Sequence, residues 1–74
     1  MSPSARTLVP VTVNGVVTQL AAGTTVAALV GKLDRSPAGV AVAIDDEVVP
    51  RSGWMARQLR AGERVEILTA VQGG

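Results

Sequence analysis

Leu8-Val9-Pro10-Val11-Thr12-Val13, then Asn14-Gly15, then Val16-Val17-Thr18-Gln19-Leu20: two runs rich in valine meet at an Asn-Gly pair. A two-residue type I′ turn needs φ > 0 at both central positions, which Asn and Gly tolerate, and its twist matches that of the strands it joins. The spacing predicts a hairpin in which Val13 faces Val16, Val11 faces Thr18 and Val9 faces Leu20. Those six side chains share one face, and five of them are apolar. Pro10 has no N–H for a ladder, which places its part of the strand at an edge or a strand start.

Downstream, Ala21-Ala22-Gly23-Thr24-Thr25 reads as a turn whose Thr24 or Thr25 caps a helix. Val26, Leu29, Val30 and Leu33 recur at i, i+3, i+4 and i+7, giving an amphipathic helix with one buried stripe. It must stop before Ser36-Pro37, because a residue preceding proline is pushed out of the α region. Val40, Val42 and Ile44 alternate with alanines, a strand apolar on both faces and therefore central in its sheet. Asp45-Asp46 turns the chain into a short return strand, Glu47-Val48-Val49, closed by Pro50. Arg51 to Leu59 is a crossover in which Trp54 and Leu59 cover the edge of the core, and Ala61-Gly62-Glu63 is a further turn. Arg64 to Leu68 is the last strand, with Val65 and Ile67 inward.

Hairpin, helix, strand, short strand, crossover, strand is the β-grasp (ubiquitin-like) plan. This is an α+β architecture with one helix across a mixed sheet of four to five strands. By analogy with that fold, the final strand lies inside the sheet beside the first. The expected organisation is a flexible leader over residues 1–7, a β-grasp domain over 8–68 and a flexible tail over 69–74 that ends in Gly73-Gly74.

Composition narrows the function. A chain of 74 residues buries only about 60% of its unfolded surface, so one modest core is all it can form. Apolar residues make up 47% of it, thirteen of them valine, with Trp54 the lone aromatic. There is no cysteine and no histidine, which removes the thiol nucleophile and the usual general base near neutral pH. The chain therefore reads as a non-enzyme. A net charge of +1 without a Lys/Arg run or an aromatic platform argues against nucleic acid as a partner. The apolar stretches fall short of the roughly 20 residues that span a bilayer. Met1 to Arg6 lacks the apolar segment of a secretory leader, so no membrane role and a cytoplasmic location are expected.

The remaining motifs are weighed against bland alternatives. Asp45-Asp46-Glu47 is explained by turn chemistry, since Asp tolerates the left-handed region and bonds its own backbone; no metal site is expected there. Trp54 is read as core lid rather than binding hot spot, and Arg51, Arg57 and Arg60 as a solvated face. Leu68, outward on the last strand by alternation, is the candidate partner surface. Gly73-Gly74 leaves two readings open: a frayed terminus, or a slender tail able to carry its carboxylate into a narrow active site because glycine has no Cβ to clash.

The residues that carry a resemblance are Val13-Asn14-Gly15, Ala22-Gly23-Thr24-Thr25-Val26, and Val48-Val49-Pro50-Arg51 with Trp54. With them goes the closing run from Gly62 to Gly74. Over roughly residues 9–74 the chain resembles the ThiS family, the thiamine-pathway sulfur carriers. The resemblance implies that a ThiF-like adenylating enzyme uses ATP and magnesium to convert the Gly74 carboxylate into an acyl-adenylate. Sulfur drawn from cysteine through a cysteine desulfurase then displaces AMP and leaves a thiocarboxylate. A ThiG-like thiazole synthase accepts that sulfur. Gly74 would be the modified residue and Thr69, Ala70, Val71, Gln72 and Gly73 the tail that partners hold, with no cofactor bound by the chain itself. Rival readings are the small subunit of molybdopterin synthase or another β-grasp sulfur carrier, and, from a different class, a ubiquitin-like modifier conjugated through Gly74. Lys32 is the chain's sole lysine, which disfavours a polymerising tag.

Overall fold

The structure, a computed structural model, describes residues 7–33 and 39–69. Five strands and one helix follow in the expected order: β1 (Leu8–Val13), β2 (Val16–Ala21), α1 (Val26–Lys32), β3 (Val40–Ile44), β4 (Glu47–Val49) and β5 (Arg64–Thr69), with a 3₁₀ turn at Arg51–Gly53. The sheet runs β2-β1-β5-β3-β4. β1 and β5 are parallel, and the other neighbours are antiparallel. This is the β-grasp arrangement, with the last strand in the interior of the sheet.

The hairpin adopts the expected register: Val13 opposes Val16, Val11 opposes Thr18 and Val9 opposes Leu20. Asn14 and Gly15 take φ of 49° and 84°, as a type I′ turn requires. Pairing reaches one residue before the predicted strand, since the Ala22 N–H donates to the Thr7 carbonyl at 2.8 Å. Pro10 is tolerated although β1 is not an edge strand. Thr12 and Asn14 donate from the side of β1 that faces β5 and the turn before it, to Glu63 and Val65. Pro10, two residues earlier, therefore turns its nitrogen to that side before β5 has begun.

Thr25 is the helix cap, accepting from the Ala28 N–H through its hydroxyl at 3.1 Å, while the Thr24 hydroxyl donates to Ala21. The first N–H groups of a helix lack partners within it. Here the crossover supplies them, as Val26 and Ala27 donate to the carbonyls of Arg57 and Trp54. The buried stripe is Val26, Leu29 and Val30. Leu33, expected to complete it, is 41% exposed because α1 ends at Lys32 and Leu33 is its C-cap. Val16 is exposed as well, although its pairing with Val13 is as expected. It lies on the core face but is 64% exposed, since it sits at the turn end of the hairpin.

Val11, Leu20, Val42, Ile44, Val65 and Ile67 from the sheet join the helix stripe, Trp54 and Leu59 in one core. Trp54 is a core residue, 4% exposed, and its Nε1–H donates to the Val49 carbonyl at 2.9 Å. Its ring thus closes the core while its single polar atom is satisfied. Asp45 and Asp46 take φ of 50° and 71°, the second type I′ turn of the fold, as the turn reading requires.

Candidate functional site: the strand that leads to the C-terminus

β5 is held from both sides. Val42 pairs with Ile67, and Val40 with Thr69, along β3, while Val13 pairs with Val65 along β1. Thr69, assigned from sequence to the tail, is the last residue of the strand. Ala70, Val71, Gln72, Gly73 and Gly74 lie outside the described residues, as do residues 1–6 of the expected leader. Among the described residues, then, the site is the sheet root from which the last five residues continue.

Strand alternation turns Val65 and Ile67 inward and leaves Leu68 65% exposed on the open face of the sheet. Leu68 lies opposite Ala41, and Ala43 on the same strand lies opposite Val48, which is 70% exposed. Leu68, Ala41, Ala43 and Val48 form an apolar strip across β5, β3 and β4 that ends at the root of the tail. Single exposed apolar residues are commonplace; a continuous strip is a better candidate for contact with another protein.

Charge braces the entry to β5. Arg57 and Glu63 form an ion pair at 2.8 Å, and Glu63 also accepts from the Arg60 backbone N–H at 2.8 Å. Arg57, read from sequence as part of a solvated basic face, is therefore a partner of Glu63. At the other end of that turn, Arg64 pairs with Asp46 at 2.7 Å, and its backbone N–H donates to the Asp45 carboxylate at 3.0 Å. Both aspartates are thus engaged by the neighbouring strand. No grouping of three or more His, Cys, Asp or Glu suited to a metal occurs among the described residues.

Burial pushes the Glu63 carboxyl up. The Arg57 hydrogen bond, the Arg60 N–H and the charges of both arginines outweigh it and hold the group below its ordinary value of 4.5. A carboxyl whose pKa is lowered by folding stabilises the protein above its unfolded pKa, and that stabilisation is lost as pH falls through the folded value. Glu63→Gln is therefore expected to lower the urea midpoint at neutral pH, with the difference from wild type vanishing on acidification. Midpoints that stay equally separated through the carboxylate range would contradict this assignment.

A depression of about 200 Å³ lies beside β4, lined by Ile44, Glu47, Val48, Val49, Pro50 and Arg57. It is smaller than ordinary small-molecule sites of roughly 300–1,000 Å³. No described helix is long and apolar enough to cross a membrane. One arrangement escaped sequence reasoning altogether: the Asn14 side chain bonds both backbone groups of Ile67. The only local signal there was Asn-Gly, and the turn already accounted for it.

The sheet order, the single helix and the interior last strand define a small ubiquitin-like protein of the β-grasp class. The comparisons with known proteins narrow that class. The ThiS family model matches residues 11–74, through the terminal Gly-Gly. The sulfur carrier protein ThiS of Escherichia coli (strain K12) is 38% identical over 56 residues, covering 76% of this chain and 85% of that protein. The crystal structure of the thiamine biosynthesis protein ThiS from Geobacter metallireducens superposes with a TM-score of 0.73 at 31% identity, covering 88% of this chain and 99% of that one. The chain belongs to the ThiS family.

Proposed function

We propose that this protein is a sulfur carrier for the thiazole moiety of thiamine, with the Gly74 carboxylate as the group that carries sulfur. The observation that carries this reading is the family match, which continues from the hairpin to Gly74. The reading makes the chain a carrier and not a catalyst.

The chemistry follows from the weakness of a carboxylate as an acyl donor. One carboxylate oxygen of Gly74 attacks the α-phosphorus of ATP, and pyrophosphate leaves with magnesium stabilising its charge. The terminal sulfur of a desulfurase persulfide, drawn from cysteine, then attacks the carbonyl carbon and expels AMP, and a thiol reductant cleaves the resulting acyl disulfide to the thiocarboxylate, itself ending as a disulfide. The activating enzyme binds the nucleotide, and a thiazole synthase takes the sulfur. All of these steps belong to cytoplasmic partners. The carrier contributes contacts remote from the reacting carbon, and such contacts raise the rate when they orient the reacting group. Thr69 and the following residues to Gly73 would be held in partner active sites, with the apolar strip around Leu68 docking beside them.

The test offers the thiocarboxylated protein in parallel to a thiazole synthase and to the large subunit of molybdopterin synthase. Consumption of the thiocarboxylate with the first alone is expected, and Leu68→Asp should slow it several-fold without unfolding the domain. Consumption with the second alone would overturn the assignment to thiamine.

A further inference from the structure

Asn14 does more than its turn requires. The turn needs only φ > 0, which Gly or Asp also supplies. Yet the Asn14 side chain reaches across to β5, where Oδ1 accepts from the Ile67 N–H at 2.8 Å and Nδ2 donates to the Ile67 carbonyl at 3.3 Å. The β1 backbone makes its last bond to β5 one step earlier, from the Asn14 N–H to the Val65 carbonyl at 2.8 Å, before the chain turns away. A side-chain amide offers one face with both a donor and an acceptor, like a peptide unit. Asn14 therefore supplies the next rung of a parallel ladder that the backbone can no longer supply. Both backbone polar groups of Ile67 are thereby taken by Asn14, on the side of β5 away from its register partner Val42 in β3.

We propose that Asn14 is a positioning residue for the chemistry at Gly74: its amide supplies the hold on Ile67 from the β1 side and so fixes the end of β5 from which the chain continues to Gly74. The inference rests on the carrier reading above. Asn14 touches no reacting atom and acts only through Ile67. Asn is the one residue type that combines tolerance of the left-handed region with a short side chain bearing both donor and acceptor. Asp in its place would turn a carboxylate oxygen toward the Ile67 carbonyl.

The variants are Asn14→Gly, which keeps the turn and removes the clamp, and Asn14→Asp, which keeps the shape and the acceptor. Pyrophosphate release by the activating enzyme is measured with each carrier as the varied substrate. Small misplacements of a reacting group lower rates by ~10–100-fold, so kcat should fall about ten-fold in both variants while KM changes little. A purely structural role predicts the opposite split, because unfolded carrier only dilutes the substrate and raises the apparent KM at unchanged kcat. Amide exchange at Ile67 should accelerate in Asn14→Gly, which removes the acceptor of its N–H, while that of Val11 in the hairpin stays as in wild type. A wild-type kcat in Asn14→Gly at saturating carrier overturns the inference alone. No pyrophosphate from the wild-type protein overturns the carrier reading and the inference with it.

Discussion

Deleting Gly74, or fusing any residue after it, abolishes thiocarboxylate formation and leaves the melting temperature of the domain unchanged. The first half follows from the carrier reading of Gly74, the second from where β5 ends. The described core closes without the last five residues: Val65 and Ile67 are buried, and β5 is complete at Thr69. Folding therefore does not depend on Gly74. The chemistry depends on it entirely, because a peptide bond after Gly74 converts the carboxylate into an amide that no longer attacks ATP. Deletion leaves a carboxylate on Gly73, one residue short, and a near-attack geometry tolerates no displacement of that size. The loss should be complete rather than graded. Intact mass after incubation with the activating enzyme, ATP and a sulfur source reads the first half, and a thermal melt reads the second. Sulfur incorporation by the truncated or fused chain would show that the reactive group lies elsewhere.

The second large effect is on stability. Trp54→Ala is expected to remove about 3–5 kcal/mol, the usual range for deleting a buried aromatic. A domain of 74 residues at roughly 0.05–0.15 kcal/mol per residue has about 4–11 kcal/mol in total, so this single change takes from about a quarter to all of it. Trp54 is the largest side chain in the core, 4% exposed. Its loss also leaves the Val49 carbonyl without its donor, and the Ala27 N–H bonds to its backbone carbonyl at the helix start. Trp54→Phe keeps most of the volume and loses the hydrogen bond, so about 1–3 kcal/mol should go. Urea unfolding followed by circular dichroism measures both, and a Trp54→Ala midpoint close to wild type would remove Trp54 from its place as closure of the core.

Most of this fold is legible in the order of residues, and the reason lies in particular places. Asn14-Gly15 and Asp45-Asp46 each specify a type I′ turn by the backbone angles they tolerate, and the alternation on either side fixes register. Trp54 and Leu59 are legible as core because a valine-rich domain of this size has few large apolar side chains to close it. Leu33 was misplaced because helical periodicity does not say where the helix ends; the spacing continues past Lys32, but the helix does not. Pro10 was ambiguous because a proline is allowed wherever its nitrogen faces no neighbour, and in a parallel pair that depends on where the other strand begins.

The candidate site was legible in part. Leu68 follows from alternation alone. The strip it forms with Ala41, Ala43 and Val48 needs the β5–β3 and β3–β4 registers, which join segments far apart in sequence. The Arg57–Glu63 pair was hidden for the same reason, since a charge six residues away in a non-helical segment carries no periodic signal. The bond from Asn14 to Ile67 joins residues 53 positions apart, so no local reading could have reached it.

Sulfur on Gly74 is read most directly from the intact mass of the wild-type protein after incubation with a ThiF-like adenylating enzyme, ATP, magnesium, cysteine, a cysteine desulfurase and a thiol reductant. The mass should rise by the difference between sulfur and oxygen, with the change confined to the C-terminal peptide that ends in Gly74. An unchanged mass, or a sulfur located on any other peptide, would contradict the carrier reading.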